Sequence, residues 1–131
     1  MSLFFTEPHQ PGSALALPIA LLAHLGDAVF HLYERERAIF SASTAKEMHR
    51  RVNKRVNAEK QADLLDAISE HLSERELDLV RRARNIKASN LKRALQAVSR
   101  KATAFEALLG YLYLEDPTRL RHVLALTTTA E

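Results

Sequence analysis

Between Pro18 and Phe40 the only glycine or proline is Gly26, and Leu22, Leu25, Val29 and Leu32 recur at spacings of three and four. That period keeps one face of an α-helix apolar, and proline suits a first turn. One long helix is predicted there, with the leucine stripe facing inward. Ser43 or Thr44 can cap a second helix, in which Ala45, Met48, Val52 and Val56 form a narrow apolar stripe. Asn57 is a second candidate cap, followed by Leu65, Ile68 and Leu72 at helical spacing. Ser73 with Glu76 three residues on forms a capping box, and opens a short helix through Leu77 and Val80 to about Arg84. Residues 85–92 are polar and predicted as a loop. A last long helix is expected to reach about Glu115, with a break near Ser99. Asp116-Pro117 stops it, and a short helix holding Leu120, Val123 and Leu124 follows. No stretch shows the two-residue alternation of a half-buried strand. The fold class predicted is all-α.

At 131 residues and 47% apolar, the chain suits one domain with a substantial core. Residues 1–16, with Pro8, Pro11 and Gly12, are expected to form a flexible arm, residues 17–126 the folded domain, and residues 127–131 a frayed tail. The absence of cysteine excludes disulfides, zinc–thiolate sites and thiol nucleophiles. No apolar run reaches the roughly 18 residues of a membrane span, and no basic segment precedes an apolar one as in a signal peptide. A cytoplasmic protein without membrane partners is expected.

Charge changes the picture more by its distribution than by its net +3. Lys46, Arg50, Arg51, Lys54 and Arg55 crowd the second helix; Arg81, Arg82, Arg84, Lys87, Lys92, Arg93, Arg100 and Lys101 crowd one later stretch. Clustered cations are an electrostatic footprint for phosphate, although Glu70, Glu74, Glu76 and Asp78 could balance them on an ordinary solvated face. Few aromatics are interleaved, which favours a duplex backbone over stacked single strands.

Two acids stand apart from this basic background. Glu106 is the only charged residue from Ala102 through Leu114. A carboxylate in so apolar a helix is costly unless it is paired, protonated or bound to a metal. Asp27 lies mid-helix beside Gly26, on the side that carries Ala20, Ala23, His31 and Glu34. A solvated face accounts for it as well, but a glycine inside a helix costs about 1 kcal/mol and marks a close approach by a neighbour. His24 and His31 flank Asp27 at i−3 and i+4, a spacing that surface histidines also show.

Leu25-Gly26-Asp27-Ala28-Val29 resembles the signature helix of the ribonuclease III domain. Ala102-Thr103-Ala104-Phe105-Glu106-Ala107-Leu108-Leu109-Gly110-Tyr111-Leu112-Tyr113-Leu114 resembles the second catalytic helix of its short bacterial branch, Mini-ribonuclease III. Val56-Asn57-Ala58-Glu59-Lys60-Gln61-Ala62 and Arg81-Arg82-Ala83-Arg84-Asn85 are similar to that branch's middle motifs, in the same order. The resemblance implies a homodimer of ribonuclease III-type helical domains that cuts both strands of double-stranded RNA with a divalent metal, Mg2+ or alternatively Mn2+. It places Asp27 and Glu106 as catalytic and metal-binding acids. RNA contacts are assigned to Arg50, Arg51, Lys54, Arg81, Arg82, Arg84, Asn85, Lys87, Arg100 and Lys101. Its substrate would be a 23S ribosomal RNA precursor, shaped by bound ribosomal proteins.

The sequence departs from the pattern in places. Larger ribonuclease III enzymes carry further acids where this chain has Ala23 and Thr103; the Mini branch lacks them too. Ala83 replaces that branch's usual glycine, and residues 85–101 diverge. Two rival readings compete: a non-catalytic RNA-binding protein on the same fold, and a helix-turn-helix DNA regulator with the Ser73–Arg84 segment as recognition helix. Neither gives Asp27 and Glu106 a role.

Overall fold

Thr44, Asn57 and Ser73 each accept a hydrogen bond from the backbone N–H three residues on, at 3.0, 2.9 and 3.2 Å, and each begins a helix. In the computed structural model, which describes residues 3–4, 9–85 and 93–129, six α-helices follow one another. They are α1 (Ile19–Ile39), α2 (Ala45–Val56), α3 (Ala58–Ile68), α4 (Glu74–Arg84), α5 (Arg93–Glu115) and α6 (Pro117–Thr129). Short 3₁₀ turns cover Ser13–Ala16 and Ser69–His71. No strand occurs among the described residues, and no helix is long and apolar enough to cross a membrane.

α5 is the central helix. Ala102, Ala104, Phe105, Ala107, Leu108, Leu109, Tyr111 and Leu112 are all buried, and α1, α3, α4 and α6 pack around them. α1 lies along α5 in antiparallel register: Leu22 meets Gly110, Gly26 meets Glu106 and Gly110, and Phe30 meets Phe105 edge-on with ring centroids 5.0 Å apart. At the crossing each helix offers a glycine. A Cβ on Gly26 would overlap the Glu106 carbonyl oxygen, and one on Gly110 would overlap the Leu22 carbonyl oxygen.

α1 turns a different face inward from the one its leucines suggest. Ile19, Leu22, Ala23, Gly26, Phe30, Glu34 and Ala38 are buried, whereas Leu25 and Val29 are half-buried and Leu32 is 53% exposed. Small residues on the inward face let α5 and α2 approach closely, and a pattern scored on large apolar residues overlooks them. α5 runs without interruption through Ser99.

Both ends are more firmly held than the sequence suggests. From His9 onward the expected arm is fastened to Glu115. That carboxylate accepts the Gly12 and Ala14 N–H groups at 2.8 and 2.9 Å and lies 3.3 Å from His9 Nε2. At the other end α6 continues to Thr129, past the residue where a frayed tail was expected to start. Thr127 is fully buried and its carbonyl accepts a hydrogen bond from Arg55 Nη2 at 3.1 Å. The capping box at Ser73 is present as expected, and it has a second use: the buried Glu76 carboxylate also takes two hydrogen bonds of 2.9 Å from Arg119, tying α6 to the start of α4. Burial pushes the Glu76 carboxyl up, but the bonds from Arg119 and the Ser73 amide outweigh it and hold the group below its ordinary value.

The glycine crossing supports a direct prediction. Gly110→Ala should destabilise the fold by about 3 kcal/mol or more, because the new methyl group meets backbone that cannot rotate away. Urea unfolding monitored by circular dichroism measures this; a loss below about 1 kcal/mol would mean that the two helices are free to part.

Candidate active site

The glycine contact decides where the acids go. Gly26 sits against the backbone of Glu106 itself, so Asp27, the next residue on α1, is carried to the edge of the same contact. Asp27 therefore lies on the rim of the buried face, with 47% of its side chain exposed, and not on a fully solvated side. Glu106 is half-buried and forms a side-chain hydrogen bond with Asp27. Desolvation is the main cause of a carboxyl pKa pushed up to about 8, with the hydrogen bond and the negative charge of Asp27 adding to it. The shift favours the protonated form of Glu106 at neutral pH in the absence of metal.

Two carboxyls at a half-open site offer a seat for a divalent cation, which Asp27 and Glu106 would hold. All-oxygen donors suit a hard ion such as Mg2+ or Mn2+. No group of three or more ligating side chains occurs among the described residues. Ala23 is buried and Thr103 half-buried where the larger enzymes carry extra acids, so an ion here would keep several waters, as Mg2+ commonly does. His31 is the residue that sequence reasoning undervalued: its Nε2 lies 3.3 Å from Asp27 Oδ1, one helical turn away. The i+4 spacing was the available signal.

The basic residues divide into groups. Arg81, Arg84, Asn85 and Arg100, with Ala97, line a cleft of about 350 Å3 between α4 and α5. Arg100 Nε is buried there with no hydrogen-bond partner among the described residues. Arg81 is held by Asp78 at 2.8 Å and Lys101 by Asp66 at 2.9 Å. Arg82 is exposed beside the cleft, and Lys87 lies outside the described residues. On α2, Arg50 and Lys54 line an open groove of about 700 Å3 together with Lys46 and Asn53. Arg51 pairs with Glu47, and Arg55 turns inward to Glu34 at 3.3 Å. The structure thus brings together the acid pair in one place and the Arg81/Arg84/Asn85/Arg100 cleft in another, and withdraws Arg55 from the surface.

Comparison with known proteins identifies the family of the chain. A family model described as Ribonuclease III domain matches residues 20–117. A Mini-ribonuclease 3 from Synechocystis sp. is 45% identical over 120 residues, covering 92% of this chain and 84% of its own. One from Thermosynechococcus vestitus is 41% identical over 121 residues, covering 91% and 80%. A crystal structure of a Fusobacterium nucleatum protein superposes with a TM-score of 0.75, covering 88% of this chain and 95% of its own, and at 24% identity it bears on the fold.

The raised Glu106 pKa makes stability pH-dependent in a defined direction. The folded state holds the Glu106 proton up to about pH 8, whereas an ordinary glutamate releases it near 4.5. Between those values the folded state binds the extra proton, so metal-free stability should fall as pH rises through the window. Glu106→Gln should flatten that decline, and Mg2+ should oppose it in the unmodified protein. Urea midpoints measured across the window test this; parallel profiles for the two proteins would contradict it.

Proposed function

We propose that this chain, which belongs to the ribonuclease III domain family and within it to the Mini-ribonuclease 3 branch, is a divalent-metal-dependent endoribonuclease that hydrolyses double-stranded RNA. The observation that carries the reading is the Asp27–Glu106 carboxyl pair, fixed face to face by the glycine crossing. Pushing two acids together raises the cost of ionising either, and a protein that only binds RNA gains nothing from that cost near phosphate. Bound Mg2+ would supply the charge that activates a water and stabilises the leaving oxygen of a phosphodiester. The chain's own part is positional. Asp27 and Glu106 hold the ion, His31 orients Asp27, and the α1–α5 backbone fixes the distance between them. The α4–α5 cleft offers guanidinium groups to backbone phosphate, among them Arg100, whose Nε has no hydrogen-bond partner among the described residues.

Asp27→Asn and Glu106→Gln should each abolish cleavage of duplex RNA while leaving helicity and RNA binding nearly intact, and chelation should silence the unmodified protein. The physiological substrate proposed is 23S ribosomal RNA precursor, in agreement with the resemblance to Mini-ribonuclease III. Side chains cannot read the deep groove of A-form RNA, so a small helical body suits a stem presented by ribosomal proteins. The same two variants, returned to cells lacking the gene, should leave the 23S ends unprocessed. Full cleavage by either variant would sink the assignment of the acids, and mature ends would exclude that substrate.

A homodimer is part of the proposal. Leu21, Leu32 and Ile39 are 58%, 53% and 56% exposed along one face of α1, and Phe40 at its end is 96% exposed. That apolar face adjoins the side carrying Asp27 and His31, so a two-fold related copy docked on it would set two acid pairs across one duplex. Phe40→Asp touches no monomer core and should shift the protein from dimer to monomer in sedimentation at micromolar concentration. An unmodified protein that sediments as a monomer yet cuts both strands would refute the dimer.

A further inference from the structure

At the junction of α1 and α2 lies a second arginine-lined cavity, of about 210 Å3, which neither the acid pair nor the α4–α5 cleft accounts for. Its base is Glu34, with 3% of its side chain exposed. One Glu34 oxygen accepts from Arg37 Nη1 at 2.7 Å and the other from Arg55 Nε at 3.3 Å. Arg55 is anchored further by the Thr127 carbonyl at 3.1 Å. At the mouth, Arg51 Nη1 donates to Ser41 Oγ at 2.8 Å and Nη2 to Glu47.

Two guanidinium groups therefore meet one buried carboxylate, and a third, Arg51, lies at the mouth paired with Glu47. If the cluster served packing alone, Glu34 and Arg55 would suffice. Arg37 and Arg51 instead keep 37% and 44% of their side chains exposed and line open space. The volume equals that of several waters, room for a tetrahedral oxyanion. Planar guanidinium forks are donors that recognise phosphate oxygens, and Ser41, whose hydroxyl donates to the Ala38 carbonyl at 3.3 Å, steadies Arg51 at the mouth.

Position adds a second argument. Glu34 follows Asp27 by seven residues, two turns of α1, so it projects from nearly the same side about 10 Å along the axis. Arg100 precedes Glu106 by six residues, about 9 Å along α5. Because α1 and α5 run antiparallel, both displacements point toward the same end of the molecule. A phosphate backbone leaving the acid pair in that direction runs toward both arginine sites.

We infer that the α1–α2 junction is a phosphate-binding site in which Arg37 and Arg51, the latter positioned by Ser41, hold one phosphate group over the Glu34–Arg55 pair. Where the phosphate belongs to duplex RNA, the inference rests on the function proposed above; the same chemistry accepts free inorganic phosphate.

Two arms of one experiment separate these sources. In the first, inorganic phosphate is titrated into the metal-free full chain while arginine Nε–Hε resonances are followed by NMR. The Arg37 and Arg51 signals should move saturably, and Arg37→Gln should abolish the Arg51 response while Arg84→Gln leaves it. In the second, binding of a short RNA duplex is measured in chelator over a range of salt. Arg37→Gln and Arg51→Gln should each weaken binding roughly tenfold. Each should also lower the salt slope by about 0.9, the signature of one lost phosphate contact. Unchanged helicity and thermal midpoints in these variants would separate this from a packing defect. Saturable shifts with an unchanged RNA slope would assign the site to free phosphate. No saturable shift and an unchanged slope would overturn the site and leave RNA cutting untouched. Saturable shifts in a protein that cuts no RNA would sustain the site and reject the nuclease.

Discussion

The approach of Gly26 on α1 to Gly110 on α5 is the contact on which the rest of the structure depends. Two helices normally pack with axes about 8–10 Å apart, because side chains hold them off. Here each backbone touches the other, and no residue larger than glycine fits at either position. That closeness fixes the sliding register of the pair as well as its distance. Register is what a pair of acids on two helices needs from its scaffold, since an acid displaced by one turn faces another part of the neighbouring helix. The helices beyond the crossing then have little freedom: Phe30 closes on Phe105, and α3, α4 and α6 fill the remaining sides of α5.

Four poorly solvated glutamates show how environment separates structural acids from a reactive one. Glu34 meets Arg37 and Arg55; Glu76 meets Arg119 and the Ser73 amide; Glu115 meets two backbone amides and His9. Each has donors that stabilise its charged form, and for Glu76 and Glu115 the carboxyl sits below its ordinary value even against desolvation. Glu106 is the exception, because its neighbour is another acid and its proton affinity rises instead. The fold satisfies these three carboxylates with arginine, histidine or backbone amides, yet leaves Glu106 against Asp27, where a proton on Glu106 relieves the repulsion and a cation could replace it.

The same contrast explains what could be read from the chain. Caps at Thr44, Asn57 and Ser73 act locally, through a side chain and an amide three residues apart, and so helix starts were evident before any packing was known. Glu106 was conspicuous because its surroundings along the chain are apolar, and those surroundings are also what bury it. Which face of α1 turns inward was not readable, since Ala23, Gly26 and Ala38 contribute by being small. Pairing divided the basic residues in a similar way. Arg51–Glu47 and Arg81–Asp78 join positions four and three apart on single helices and could be anticipated. Lys101–Asp66 and Arg55–Glu34 join different helices, so nothing in the linear pattern announced that two of the cations were already engaged.

Electrostatics and the glycine crossing converge on one requirement. In the proposed function, phosphate comes close to a site that carries two carboxyls, and negative charge there opposes that approach. A cation held by the acids would reverse the sign at the centre, while guanidinium groups displaced by about two helical turns would attract the flanking backbone without competing for the metal position. Arginine suits that flanking role better than lysine because its fixed fork can be held by one carboxylate and still present donors outward. Arg37 over Glu34 is an instance, with one Nη on the buried acid and the rest of the group at the cavity mouth. The buried ion pairs of α1, α2 and α6 therefore brace the helices and also set the direction in which exposed positive charge points.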